Sequence, residues 1–219
     1  MKEFKKLVKI VSILRSKRGC PWDRKQKLKD LESYLLEETY ELLEALTKND
    51  KKMIEEELGD MFLILVFITQ ILKEKKKLTL YQVLKRVNKK LILRHPHVFK
   101  GKDLSKPQDV LKEWTKIKER EGKDEIKSIP KNLPSLMRAY KLIRRAQRKG
   151  VLKKRKSGLK ENLCKRFEKF LDSPNSKNFN SLLFEMLLYT ESSFCPENNF
   201  RRYLDRVINN LYKEQKLSY

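Results

Sequence analysis

The chain has 219 residues, 53 Lys+Arg against 29 Asp+Glu, and a formal net charge of +24. No run approaches 18 uninterrupted apolar residues, which excludes a membrane-spanning helix. Six Gly, seven Pro and abundant Leu, Lys and Glu point to an α-rich chain. Cys20, Cys164 and Cys195 are far apart and form no C-x-x-C. Such spacing suits free thiols in a reducing cytoplasm.

In chain order, Phe4, Leu7, Val8, Val11 and Leu14 recur at helical spacing. "RGCPWD" breaks that pattern at Gly19 and Pro21. The opening segment has no small-residue cleavage site and is read as a helix, not a leader. A second periodic run covers about 28–47, "KND" makes a turn, and a third run covers about 51–74. A fourth spans about 80–94 and stops at Pro96. Four helices with short connections predict a compact bundle over 1–100. Residues 101–132 read as a polar linker with one helix near 107–121. Further helical runs lie at about 160–171, 178–194 and 200–216, after the opening "LPSLMRAYKLIRRAQRKG". Residues 138–160 hold eleven basic side chains and no acidic one.

The charge is uneven. Residues 31–60 carry ten acidic and three basic residues, a local charge of −7 in a basic chain. At 100° per residue, Glu38 and Glu41 share one arc of the second run, bordered by Leu31, Leu35 and Leu42. Glu57 and Asp60 share an arc of the third, near Met53 and Ile64. Glu37, Glu44, Glu55 and Glu56 point elsewhere. Four carboxylates on a core margin need relief from their mutual repulsion. Raised pKa values, Lys/Arg partners or a divalent cation would each supply it. Hard oxygen donors at i, i+3 on two facing helices suit Mg²⁺ or Mn²⁺. An acidic, solvated helix face is the plainer reading of the same residues.

"GCPWDRKQ", "YLLEETYELLEAL", "EELGDMF" and "VNKKLILRHPHVF" resemble the MazG nucleoside triphosphate pyrophosphohydrolases. "VLKEWTKIKEREGK" and "IPKNLPSLMRAYKLIRRA" extend the resemblance to about residue 150. The family pattern E-E-x-x-E followed by E-x-x-D is met by Glu37, Glu38, Glu41, Glu57 and Asp60. The resemblance implies an all-α, oligomeric, Mg²⁺-dependent enzyme that cleaves nucleoside triphosphates to monophosphate and pyrophosphate. It also implies Glu38, Glu41, Glu57 and Asp60 as metal ligands. With that frame, Lys90 and Arg94, spaced i, i+4, become candidates to meet the triphosphate. Asn88 could reach a phosphate or a metal-bound water. Trp22 could stack on a base or sugar, or pack over the end of the bundle. Glu37 or Glu41 could take the proton of the attacking water. His95 and His97 read as structural, closing the fourth helix, and Cys20 as packing.

Two-copy members of the family carry the bundle twice. Without gaps, "LKRVNKKLILRH" (84–95) meets "LDRVINNLYKEQ" (204–215), and "LGDMFLIL" (58–65) meets "FEMLLYTE" (184–191). Residues 133–219 therefore read as a shortened, diverged second bundle without catalytic groups. Lys90 falls opposite Asn210, Arg94 opposite Glu214, Asp60 opposite Met186 and Glu57 opposite Leu183. The competing expectation is a non-catalytic protein that binds nucleic acid through residues 138–160.

Overall fold

A computed structural model describes residues 2–101, 104, 106–120, 126–152, 158–190 and 194–217, with the side chains of 118, 119 and 213–217 left aside. Among the described residues there are eleven helices and no strand. The fold is all-α, as the composition and periodicity predict. The chain divides into two compact units, Met1–Val110 and Leu111–Tyr219. The division falls inside the helix of the expected linker.

The first unit contains α1 (Lys2–Leu14), α2 (Pro21–Lys25), α3 (Asp30–Lys48), α4 (Lys51–Glu74), α5 (Leu80–Arg94) and α6 (Pro96–Phe99). α4 is the centre: α1, α3 and α5 all pack on it. Its length follows from its apolar content, and Val66, Phe67 and Ile71 face inward. With Val11 of α1 and Leu31 of α3 they form the core, flanked by Phe4, Leu7, Leu28 and Leu63. Burying each such side chain contributes roughly 1.5–3 kcal/mol.

The helix ends are specified locally. α3 stops at Asn49, which adopts φ 54° and donates its N–H to the Ala45 carbonyl. The next residue, Asp50, caps α4 by accepting from the Lys52 and Met53 amides at 2.9 and 3.3 Å. α5 opens with a capping box, in which the Gln82 amide donates to Thr79 Oγ1 and the Thr79 amide donates to Gln82 Oε1. Gly19 closes the turn after α1, where a Cβ would lie 2.1 Å from the Leu14 carbonyl oxygen.

Two short helices depart from the sequence reading. Pro21 and Pro96 lie beyond the ends of α1 and α5, as expected, and each also begins a short helix that the sequence reading did not contain, α2 and α6. A proline at the first helical position loses no hydrogen bond, because that N–H has no intrahelical partner.

The second unit holds most of α7 (Pro107–Arg120), together with α8 (Ser135–Arg148), α9 (Leu159–Asp172), α10 (Ser176–Tyr189) and α11 (Pro196–Leu217). α9 packs along α10, and α8 meets both α10 and α11. Ile143, Ala146, Leu182 and Leu187 are buried there. Residues 153–157 of the basic stretch lie outside the described residues; the rest forms α8, the turn after it and the start of α9.

Candidate active site

α3 and α4 are consecutive, antiparallel and joined by a two-residue turn, so their facing margins are brought together by the shortest route the chain allows. On those margins, oxygens of Glu38, Glu41 and Glu57 all lie within 4.8 Å of one another. Glu38, Glu57 and Asp60 are partly buried, whereas Glu41 is exposed. Asp60 is not within that group of three, but it is close enough to act on both Glu38 and Glu57 electrostatically. Glu37, Glu44, Glu55 and Glu56 are exposed. Glu44 pairs with Lys48 along its own helix.

Crowding is visible in the proton affinities. Partial burial, then Asp60, Glu41, Glu57 and Glu37, push the Glu38 carboxyl above the usual carboxylate range. Partial burial, then Glu41, Glu56 and Asp60, push up Glu57, while a hydrogen bond with Glu38 opposes the rise. Anions that repel one another in this way favour a cation between them. All donors are carboxylate oxygens, and no sulfur or imidazole is among them, so the set fits a hard divalent ion.

The other expected residues surround this margin unevenly. Lys90 and Asn88 are exposed on α5. Arg94 is buried at 9% exposure and already partnered within the fold. Trp22, on α2, is 59% exposed and its ring stands 6.4 Å from that of Tyr34 on α3. His95 ends α5, with Nδ1 2.7 Å from the Leu91 carbonyl oxygen, and its ring lies 5.7 Å from that of His97. Cys20 is unpaired and partly buried before α2.

Arg15 is a residue the sequence reading missed. Its guanidinium binds both oxygens of Glu74, donates to the carbonyls of Asp23 and Gln26, and lies 5.2 Å over the Phe67 ring. It thus ties the end of α1, the α2 loop that carries Trp22, and the end of α4. The arginine side chain is 6% exposed. Glu74 is held below the usual carboxylate range, chiefly by the Arg15 hydrogen bond. A pair 59 residues apart has no periodic signature, so only the fold reveals it.

A family model, the MazG nucleotide pyrophosphohydrolase domain, matches residues 26–99, the span that contains all four carboxylates. The chain is 34% identical to the nucleoside triphosphate pyrophosphohydrolase/pyrophosphatase MazG of Thermotoga maritima, over 98% of this chain and 86% of that protein. It is 35% identical to the nucleoside triphosphate pyrophosphohydrolase of Escherichia coli K12, over 68% of this chain and 59% of that one. Among solved structures, a mazG-related protein from Thermotoga maritima aligns with a TM-score of 0.47 at 30% identity, over 52% of this chain and 98% of that one. The chain is an enzyme of the hydrolase class that acts on phosphoric anhydride bonds. It belongs to the MazG nucleoside triphosphate pyrophosphohydrolase family.

Proposed function

We propose that the chain hydrolyses nucleoside triphosphates to nucleoside monophosphate and pyrophosphate, with Mg²⁺, or Mn²⁺ in its place, held by Glu38, Glu41, Glu57 and Asp60. The observation that carries this reading is the convergence of three carboxylates from α3 and α4 within 4.8 Å, with Asp60 beside them. When bound, the ion supplies charge neutralisation for the phosphates and acidifies a coordinated water. Glu41, the exposed member of the three, or its neighbour Glu37 takes the proton of the attacking water. Lys90 reaches the phosphate oxygens and offsets the charge that develops at the attacked phosphorus. Asn88 orients a phosphate or a metal-bound water. Trp22 offers an exposed aromatic face to the base or sugar. Arg94, one turn on from Lys90 and largely buried, meets the phosphates together with it. Residues 1–100 form the catalytic unit in this reading. Residues 101–132 link it to a degenerate repeat over 133–219.

The working form is a homodimer or larger homo-oligomer in the cytoplasm. Support comes from α4, where Leu58, Phe62 and Leu65 are about half exposed at i, i+4, i+7. Sedimentation of the full chain would measure its association state, and a monomer at working concentrations would remove that part.

The central test is a substrate screen with Mg²⁺ that separates pyrophosphate from orthophosphate. Pyrophosphate release that stops with chelator and with Asp60→Ala is the expected result. Orthophosphate as the first product, or full activity in Asp60→Ala, would overturn the assignment.

A further inference from the structure

We infer that the α9–α10 hairpin carries a phosphate-binding groove at the place where the α3–α4 hairpin carries its carboxylates. The two hairpins are set in register by their caps. α3 ends at Asn49 and α4 is capped by Asp50; α9 ends at Ser173 and α10 is capped by Asn175, whose side chain accepts from the Asn178 amide at 3.0 Å. Counting back from the ends, Glu38 and Asn162 each stand eleven residues before the C-cap, and Glu41 and Lys165 each stand eight before it. Counting forward from the N-caps, Asp60 and Glu185 each stand ten residues on, and Glu57 and Leu182 seven. The second turn is one residue longer. The caps thus set Glu185 and Leu182 against Asp60 and Glu57, one residue before the Met186 and Leu183 that the ungapped segment comparison paired with them.

Three of these counterparts line one groove. Asn162, Lys165 and Glu185, with Arg166 and Lys169, surround a space of about 260 Å³ between α9 and α10. Positions 162, 165, 166 and 169 follow i, i+3, i+4, i+7, so α9 presents them as one stripe. Glu185 faces them from α10. Where the first hairpin gathers anions, this one gathers three cations, one amide and one carboxylate. Among the described residues, none of the three cations is ion-paired. The buried Asn178 fixes the closed end, donating to the Ser173 carbonyl at 2.8 Å and to the Lys169 carbonyl at 3.4 Å.

This donor set repels a metal ion and suits a phosphorylated anion. Arg166 offers a planar fork, the lysines offer point charges, and Asn162 offers an amide N–H. Glu185 is the one obligate acceptor when ionised and fits a hydroxyl next to the phosphate. A groove of this size takes pyrophosphate or a nucleotide's phosphate chain rather than a folded partner. A nucleic-acid backbone shares the chemistry, and the experiment separates the two.

The test stands apart from catalysis, because it is done in chelator, where hydrolysis in the first unit is not required. Calorimetry on the full chain in EDTA at about 0.15 M salt would measure pyrophosphate binding. Saturable binding is expected, weakened at least tenfold in Lys165→Ala/Arg166→Ala and unchanged in Lys9→Ala, an exposed lysine of α1. Circular dichroism confirms the fold of the double variant, and Lys169→Gln supplies a second, milder probe in the same stripe. A single-stranded oligonucleotide that competes at these residues, while pyrophosphate alone does not bind, would give the groove to nucleic acid and overturn the small-anion assignment. Absence of saturable binding, or binding indifferent to Lys165, Arg166 and Lys169, would remove the site altogether.

Discussion

The α3–α4 and α9–α10 hairpins share a scaffold and carry opposite charge. Both are antiparallel pairs with a tight turn, and both open the second helix with a side-chain cap, Asp50 or Asn175. Both bury apolar residues of that second helix, Ile64 and Phe67 in one and Leu182 and Leu187 in the other. At the facing margin, one gathers Glu38, Glu41 and Glu57 and the other Asn162, Lys165 and Glu185. Packing and caps determine where a margin residue stands; the residue type then determines what the margin attracts. A few substitutions can therefore reverse the charge of such a margin without disturbing the fold.

The largest expected effect tests the acidic member. Glu38→Gln and Asp60→Ala should each lower pyrophosphate release by roughly a thousandfold, since in the proposed reading several kcal/mol of charge stabilisation depends on the ion they would hold. Glu185→Gln in the other hairpin should leave turnover unchanged, as steady-state kinetics would show. Lys90→Ala should cost about 3 kcal/mol in the transition state, roughly two orders of magnitude in kcat/KM, with an unchanged melting temperature. Arg94→Ala should lower stability as well, because that side chain is buried.

A third variant breaks the surroundings of the first hairpin while sparing its carboxylates. Arg15→Ala leaves Glu74 without its cationic partner and removes one donor each from the carbonyls of Asp23 and Gln26. A loss of about 3 kcal/mol, read from urea unfolding, is expected. Smaller still are the caps. Asp50→Ala and Asn175→Ala should each cost about 1 kcal/mol, and similar values would show that the hairpins share one device.

The pH response is the finest probe. Glu38 and Glu57 bind protons more tightly when folded than at their ordinary value of 4.5. Between that value and their raised one the folded state holds more protons, so stability falls as pH climbs through that interval. A divalent ion should cancel the fall, raising the melting temperature more at pH 7 than at pH 4. Glu74 has the opposite sign: its contribution is present above 4.5 and is lost as pH falls through its lowered value. Glu74→Gln should flatten the acid limb and Glu38→Gln the limb above it.

Much of this comparison was legible in the sequence, and the parts that were not have a common cause. The runs at 51–74 and 80–94 match α4 and α5 at both ends, because long amphipathic helices announce their period and their caps. The helical arcs placed Glu38, Glu41, Glu57 and Asp60 on the inward margin and Glu37, Glu44, Glu55 and Glu56 outside it; Glu38, Glu57 and Asp60 are partly buried and the outer four exposed, whereas Glu41 is exposed too. The breaks at Pro21 and Pro96 were legible, but the short helices they begin were not, because a proline marks a helix start as readily as a stop. The Arg15–Glu74 bond and the burial of Arg94 arise between elements distant in sequence. The α9 groove was hidden because the ungapped pairing of 58–65 with 184–191 sits one residue off the register set by the caps, 100° round the helix.

The two-residue turn at Asn49 and Asp50 also bears on how the enzyme folds. Glu38 and Asp60 are only 22 residues apart, and the turn between them has its left-handed residue and its cap built in. Closing so short a loop costs little chain entropy, and contacts this local form early in helical proteins. The acidic margin is thus among the first pieces of tertiary structure available to the chain as it leaves the ribosome. If these carboxylates hold a divalent ion as proposed, the ion would bind a nascent hairpin as well as a finished protein, and would speed refolding rather than only slow unfolding.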